Sequence, residues 1–284
     1  MTAVSSPVAV AFSGEPGSFA EDAVLRAFGE VPRIGVPGFP AVFEAVTDGA
    51  ATVGVVPIEN VVAGTIRETL DLLLAHDLVI VGEVVVPVRL WLAALPGQAI
   101  EDIERVSSHV QALEQASDFL RSRPWLLVST YNTAGAGKDI VERGERSSAA
   151  VLSPRAAALF GLEVLASDIA SDPENRTRFW LVARSGGFVP EPDRGAGAGS
   201  RTTVVFGVRN EPGTLLAALH AFADQGVNLS KLESRPSRER AWEYVFWADL
   251  DGAIDDPPTA AALADLRPRT TLVRVLGSYR RAAD

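Results

Sequence analysis

The 284-residue sequence contains no cysteine. That excludes disulfides, thiolate-bound metals, iron–sulfur clusters and a cysteine nucleophile. Histidine is scarce: His76, His109 and His220 lie far apart and lack the spacing of metal ligands. Basic residues are outnumbered, 26 Lys+Arg against 36 Asp+Glu, for a formal net charge of −10. A chain of that sign does not suit nucleic acid or an anionic membrane, and neither is expected as a partner. Any anionic ligand must be met by a local cluster of donors, against the overall field. No apolar run reaches the roughly 18 residues of a membrane helix. The start, "MTAVSSPVAVAF", lacks the basic residues and long apolar core of a secretory signal, so a cytoplasmic protein is expected. There is no GxxxxGK(S/T) loop, and "GEPGSF" is not a dinucleotide fingerprint.

What is present is an alternation of strands and helices. "VAVAFSGEPGSFAEDAVLRAFG" reads as a strand, a turn at Gly14, Pro16 and Gly17, and a helix capped by Ser18 with Glu21 three residues on. "FPAVFEAVTDGAATVGVVPIEN" gives a helix and a buried strand from Thr52 to Val56. "TIRETLDLLLAHD" is amphipathic, with Ile66, Leu70, Leu73 and Leu74 on one side. "LVIVGEVVVPVRLWLAAL" is rich in β-formers and broken at Gly82 and Pro87. A helix over "VQALEQASDFLRSR", a strand over "LLVSTY" and a helix over "TAGAGKDIVERG" continue the pattern. Such alternation predicts α/β layers with active loops at strand ends. "SGGFVPEPDRGAGAGS", 185–200, has no hydrophobic period and reads as a linker. Beyond it, residues 201–284 follow a βαββαβ order, the ferredoxin-like arrangement.

One stretch is odd. In "DPENRTRFWLVAR", 172–184, a strand heading for a core carries Asn175, Thr177 and Arg178 up to its mouth. "ENRTRF" resembles the N-x-T-R-F signature of prephenate dehydratases. "GEPGSFAEDA", "VPIENVVAGTIRETLDLL" and "SSHVQALEQ" resemble that family's other segments, in family order. "PGTLLAAL" and "LSKLESRP" are similar to the amino-acid-binding stretches of ACT domains.

The resemblance implies an α/β fold with a two-lobed catalytic region like type 2 periplasmic binding proteins, and a C-terminal ACT domain. Residues 1–184 are expected to be catalytic, with lobe 1 at about 1–80 plus 174–184 and lobe 2 at about 81–173; 185–200 is the linker and 201–284 the ACT domain. No helical segment precedes "VAVAFSGEPG", so a fused chorismate mutase is not expected. The implied reaction is loss of water and carbon dioxide from prephenate, giving phenylpyruvate for phenylalanine synthesis. Aromatisation drives it, so no cofactor and no metal are expected. Arogenate dehydration and a non-catalytic sensor of amino acids or ring acids are the alternatives.

By the same resemblance Thr177 is the catalytic hydroxyl, assisting the departing ring hydroxyl. Asn60, Gln111, Arg178, Ser18 and Phe179 are expected at the substrate. Asn60 reads otherwise as a turn residue, Gln111 as a helix-start residue, Ser18 as a cap, and Arg178 as a partner to Asp172 or Glu174. Ser13 is a further hydroxyl candidate; His109 reads as positioning the adjacent loop, and Glu59 as the partner of a nearby cation. Two departures stand out: Val61 replaces the family's serine and Val110 its proline. The ACT resemblance implies phenylalanine at Gly213, Leu215, Asn228, Leu229, Glu233, Ser234, Arg235 and Pro236, in a homodimer or homotetramer.

Overall fold

The computed structural model describes residues 9–187, 189, 199–236 and 243–283. The expected linker falls mainly on 188 and 190–198, outside the described residues. Lobe 1 begins with β1 (Val10–Ser13), α1 (Phe19–Phe28), β2 (Arg33–Val36), α2 (Gly38–Thr47) and β3 (Val53–Asn60). It continues with β4 (Gly64–Thr65), α3 (Arg67–Ala75) and β5 (Leu78–Pro87). Ser18 Oγ accepts the Glu21 N–H and starts α1, the kind of cap that stabilises a helix by about 1 kcal/mol.

Lobe 2 holds β6 (Trp91–Ala94), β7 (Arg105–Ser108), α4 (Val110–Gln115), α5 (Ser117–Leu120) and β8 (Leu126–Ser129). After these come α6 (Thr133–Arg143), β9 (Ser148–Leu152), α7 (Pro154–Leu159) and β10 (Glu163–Ala166). The chain then re-enters lobe 1 as β11 (Arg176–Arg184). The first sheet runs β2-β1-β3-β11-β5 with β4 on β3, and the second β10-β6-β9-β7-β8.

Three features differ from expectation. Gly82 does not break its strand: β5 is continuous, and the space a side chain would fill there is taken by Leu181 of β11. Because β5 pairs with β11, lobe 1 extends to Pro87 rather than residue 80. The helix expected over 110–123 is two short pieces meeting at Ala116. Between the lobes the two crossing segments bond to each other, Val88 N–H to Asn175 O at 2.8 Å.

The last unit is β12 (Ser200–Gly207), α8 (Thr214–Ala223), β13 (Leu229–Pro236), β14 (Tyr244–Asp251), α9 (Pro257–Leu266) and β15 (Leu272–Arg280). Its antiparallel sheet has the order β13-β14-β12-β15, as the βαββαβ reading requires. Its helices cover one sheet face with a core of Val204, Phe206, Phe222, Leu250 and Leu266. The other face joins lobe 1: Val205, Trp247, Leu276 and Tyr279 share a buried cluster with Ile58, Ile80 and Trp180. Trp180 and Trp247 stack with ring centroids 6.1 Å apart. Gly277 lies so close to β5 that a Cβ there would meet Ile80 O at 2.1 Å. Among the described residues no helix is long and apolar enough to cross a membrane.

Candidate active site

Residues from both lobes line two adjoining chambers. The inner one, about 330 Å³, is lined by Ser18, Asn60, Thr65, Gln111, Gln115, Thr133, Thr177 and Phe179 with an apolar surround. The outer one, about 790 Å³, is lined by Gly14, Glu15, Gly38, Glu68 and Tyr131 among others. Ser13, Phe39, His109 and Asn132 border both. Among the described residues no lysine or arginine lines either chamber. The positive ends are backbone: α1, α2, α4 and α6 each bring first-turn or capping residues to the lining. Unpaired N–H groups and the helix dipole make such ends suited to anions.

Thr177 and Asn60 sit opposite each other on β11 and β3. The Asn60 amide orientation is forced. Its Oδ1 accepts the backbone N–H groups of Val62 at 3.0 Å and Ala63 at 2.8 Å, and a backbone N–H can only donate. Its Nδ2 therefore points the other way, at Thr177 Oγ1 (3.0 Å), Asn175 Oδ1 (2.8 Å) and Arg176 O (3.1 Å). Thr177 Oγ1 is thus an acceptor from Asn60, and its own hydrogen is left to donate at the chamber wall. Gln115 Nε2 reaches Asn60 Oδ1 at 3.4 Å from the other lobe.

His109 is fixed in the same way. Its Nδ1 accepts the Gln111 N–H at 3.3 Å, which places the hydrogen of a neutral ring on Nε2. Burial holds this imidazole below its ordinary pKa, outweighing Glu114. A neutral donor therefore borders both chambers. Across the cleft, Ser153 Oγ donates to Gly17 O at 2.7 Å and Arg155 Nε lies 3.2 Å from Glu21 Oε2, joining the lobes. Burial alone would raise the Glu21 carboxyl; the Gly17 N–H, Arg33 and Arg155 together hold it below its usual value.

Arg178 is a correction. Its guanidinium does not reach the cleft, nor Asp172 or Glu174. It bonds Glu59 at 2.9 Å, Asp249 at 2.8 Å and Glu83 at 3.2 Å, on the face of β11 turned toward the C-terminal domain. Successive strand residues point to opposite faces, so Thr177 and Phe179 line the inner chamber while Arg178 and Trp180 turn away from it. Glu59 pairs with Arg178 and with Lys231.

Residues 10–186 match the prephenate dehydratase family and residues 202–268 the ACT domain family. The chain belongs to the prephenate dehydratase family. A relative from Arabidopsis thaliana, arogenate dehydratase/prephenate dehydratase 1, chloroplastic, is 37% identical over 96% of this chain and 72% of its own length. The structure of prephenate dehydratase from Arthrobacter aurescens in complex with L-Phe is 36% identical with a TM-score of 0.87, covering 97% of this chain and 90% of that one. GqqA, described as a novel type of quorum-quenching acylase, is 32% identical with a TM-score of 0.86, covering 96% and 98%.

Within this family member, Ser18, Asn60, Gln111, Thr177 and Phe179 come together at the inner chamber. Val61 and Val110 are 66% and 46% exposed, and neither is among the lining residues of the chambers. Sequence reasoning missed Asn132 and Gln115, and it singled out Asn175 at the strand mouth without giving it a role. Asn132 caps α6 through its Oδ1 to the Gly135 N–H at 2.6 Å, a role signalled by Asn before "TAGAGK". Gln115 lies four residues after Gln111 and so on one helix face, which was legible. Asn175 is buried, and its Nδ2 has no partner among the described residues.

The residues expected at the effector are divided. Gly213 caps α8 at φ 83°, a left-handed conformation that favours glycine. Leu215 and Leu229 pack against the ACT core, and the Asn228 amide is held by Asp251 at 2.6 Å. On β13, Glu233 and Arg235 are half-buried while Ser234 and Pro236 are exposed. Arg235 bonds Asp71 of lobe 1 at 2.9 Å, so the segment does not present one common face.

Proposed function

We propose that the inner chamber binds prephenate and converts it to phenylpyruvate, carbon dioxide and water, and that phenylalanine acts through the ACT domain. The observation that carries this reading is the Thr177 hydroxyl at the chamber wall, its oxygen accepting from the backbone-locked amide of Asn60. The C–C bond to the ring carboxylate breaks, its electron pair enters the ring, and the C–O bond of the ring hydroxyl breaks at the far end. The departing hydroxide takes a proton from solvent and leaves as water. Thr177 is a poor acid at neutral pH; it orients the departing oxygen by a hydrogen bond as charge develops there. Helix ends and neutral amides hold the dianion. The apolar walls, Phe19, Phe39, Val88, Leu90 and Phe179, replace water around the carboxylate that is lost.

A second reading, arogenate, is favoured by Glu68 and Glu15 in the outer chamber. Carboxylates there suit the ammonium that arogenate carries in place of the keto oxygen. Glu15 is partnered by Lys138 at 3.1 Å, which leaves Glu68 to make the distinction. Incubation of purified protein with prephenate and with arogenate decides between them: phenylpyruvate from the first or phenylalanine from the second is expected. Consumption of neither, with hydrolysis of an N-acylated substrate instead, overturns both readings.

A further inference from the structure

The cleft and the ACT domain meet across a layer of charge, and one side chain in that layer grips the hairpin that builds the catalytic floor. We infer that Lys231 couples effector occupancy of the ACT domain to the β3–β4 hairpin holding Asn60. The inference rests on the reading that the ACT domain takes phenylalanine.

Lys231 lies on β13, within the stretch Leu229–Pro236. Its ammonium is 3.0 Å from Glu59 Oε1 and 2.9 Å from Thr65 Oγ1. These partners are directly opposite each other in the β3–β4 pairing, so one ammonium holds both strands of the hairpin. Glu59 is the residue before Asn60, and Thr65 itself lines the inner chamber. The turn between them is held from inside by Asn60 Oδ1 on the N–H groups of Val62 and Ala63. The hairpin therefore has two clamps, one made by Asn60 and one reaching in from the ACT domain.

The second clamp also touches β11. Glu59 Oε2 is bound by Arg178, which sits between Thr177 and Phe179. Burial would raise the Glu59 carboxyl, but Arg178 and Lys231 hold it below its ordinary value, so it stays charged. A movement of β13 that withdraws Lys231 releases Glu59 and Thr65 together. Glu59 is then left to Arg178 alone. The position of Asn60 and the direction of the Thr177 hydroxyl follow from that hairpin. A second contact from β13 to lobe 1, Arg235 to Asp71, ends on α3 at a residue that lines neither chamber.

An effector that binds the two positions of β13 unequally shifts the cleft through this contact, and linkage makes the effect reciprocal. The test uses full-length protein, with phenylalanine and the product phenylpyruvate as probes. Calorimetry measures the affinity of each in the presence and absence of the other. Hydrogen exchange over residues 58–66 reports the hairpin. In the wild type the two ligands are expected to alter each other's affinity by the same factor, about fivefold or more, and phenylalanine changes exchange in the hairpin. Lys231→Met keeps the aliphatic stem and removes the ammonium; phenylalanine still binds, the factor falls to near unity, and the exchange response is lost. Glu59→Gln, nearly isosteric and outside the ACT domain, gives the same loss and stands in should Lys231→Met fold poorly. Wild-type coupling in both variants overturns the inference and leaves the regulatory reading standing. A wild type that binds no phenylalanine overturns the regulatory reading, and the inference falls with it.

Discussion

The two faces of β11 handle charge in opposite ways. On the cleft side, a chamber proposed to hold a dianion is lined by no lysine or arginine among the described residues. On the domain side, Arg178, Arg201 and Lys231 are packed among Glu59, Glu83 and Asp249. Fixed cations beside the substrate carboxylate would stabilise it and oppose loss of carbon dioxide, whereas helix ends and amides orient it with less charge. Fixed cations in a buried seam instead need matching carboxylates, because an unpaired buried charge is costly. The difference separates chemistry from docking within one strand.

Removing the central cation of the seam should have the largest effect. Arg178→Met leaves Glu83 and Asp249 buried with one partner fewer, and a loss of about 3–5 kcal/mol is expected. That corresponds to a Tm lower by roughly 6–20 °C for a domain of this size. An unchanged Tm with a raised KM would instead put Arg178 at the substrate and erase the contrast between the faces.

Next in size is the cleft hydroxyl. Thr177→Val should lower kcat by about 100-fold or more, the scale for a lost donor at developing charge. Its Tm should move little, since Asn60 Nδ2 keeps Asn175 and Arg176 as acceptors. Thr177→Ser should retain much of the activity. Near-wild-type turnover by Thr177→Val would remove Thr177 from the reaction.

A smaller effect concerns pH. Burial holds the folded pKa of His109 below its ordinary value of 6.5, so the unfolded chain binds more protons between the two values. Stability from this group is complete above the unfolded pKa and is lost as pH falls through the window below it. His109→Asn keeps a capping side chain without titrating, and its Tm should decline less than the wild type's below pH 6.5. Parallel acid profiles for the two proteins would show that His109 is not held neutral by its surroundings. Smallest of all, Glu68→Gln should shift the ratio of kcat/KM for prephenate over arogenate upward by about two- to fivefold, as befits an exposed charge. No shift, or one toward arogenate, would remove Glu68 from substrate selection.

Much of the frame was legible because it rests on local periodicity and on motifs kept in order. The βαββαβ unit and the start of α1 follow from capping and alternation. The face of Arg178 was legible too: period-two alternation forbids Thr177, Arg178 and Phe179 from all entering one cleft, and the motif hid that rule. Other features were not local. Gly82 looked like a break because the side chain filling its place, Leu181, lies a hundred residues away in sequence on β11. The partners of Glu59 were out of reach for the same reason, since Lys231 belongs to another domain. Asn175 is legible as polar but not as buried, because its burial depends on the crossing of the two segments that join the lobes.

Gly277 brings the ACT sheet to within backbone contact of β5, where even a methyl group would strike the Ile80 carbonyl. The two units are therefore keyed: the joint accepts one register and admits tilting more readily than sliding. An effector module grafted here from another enzyme would have to present bare backbone at this point. A graft bearing any side chain there would sit away from β5, and its signals would have no footing.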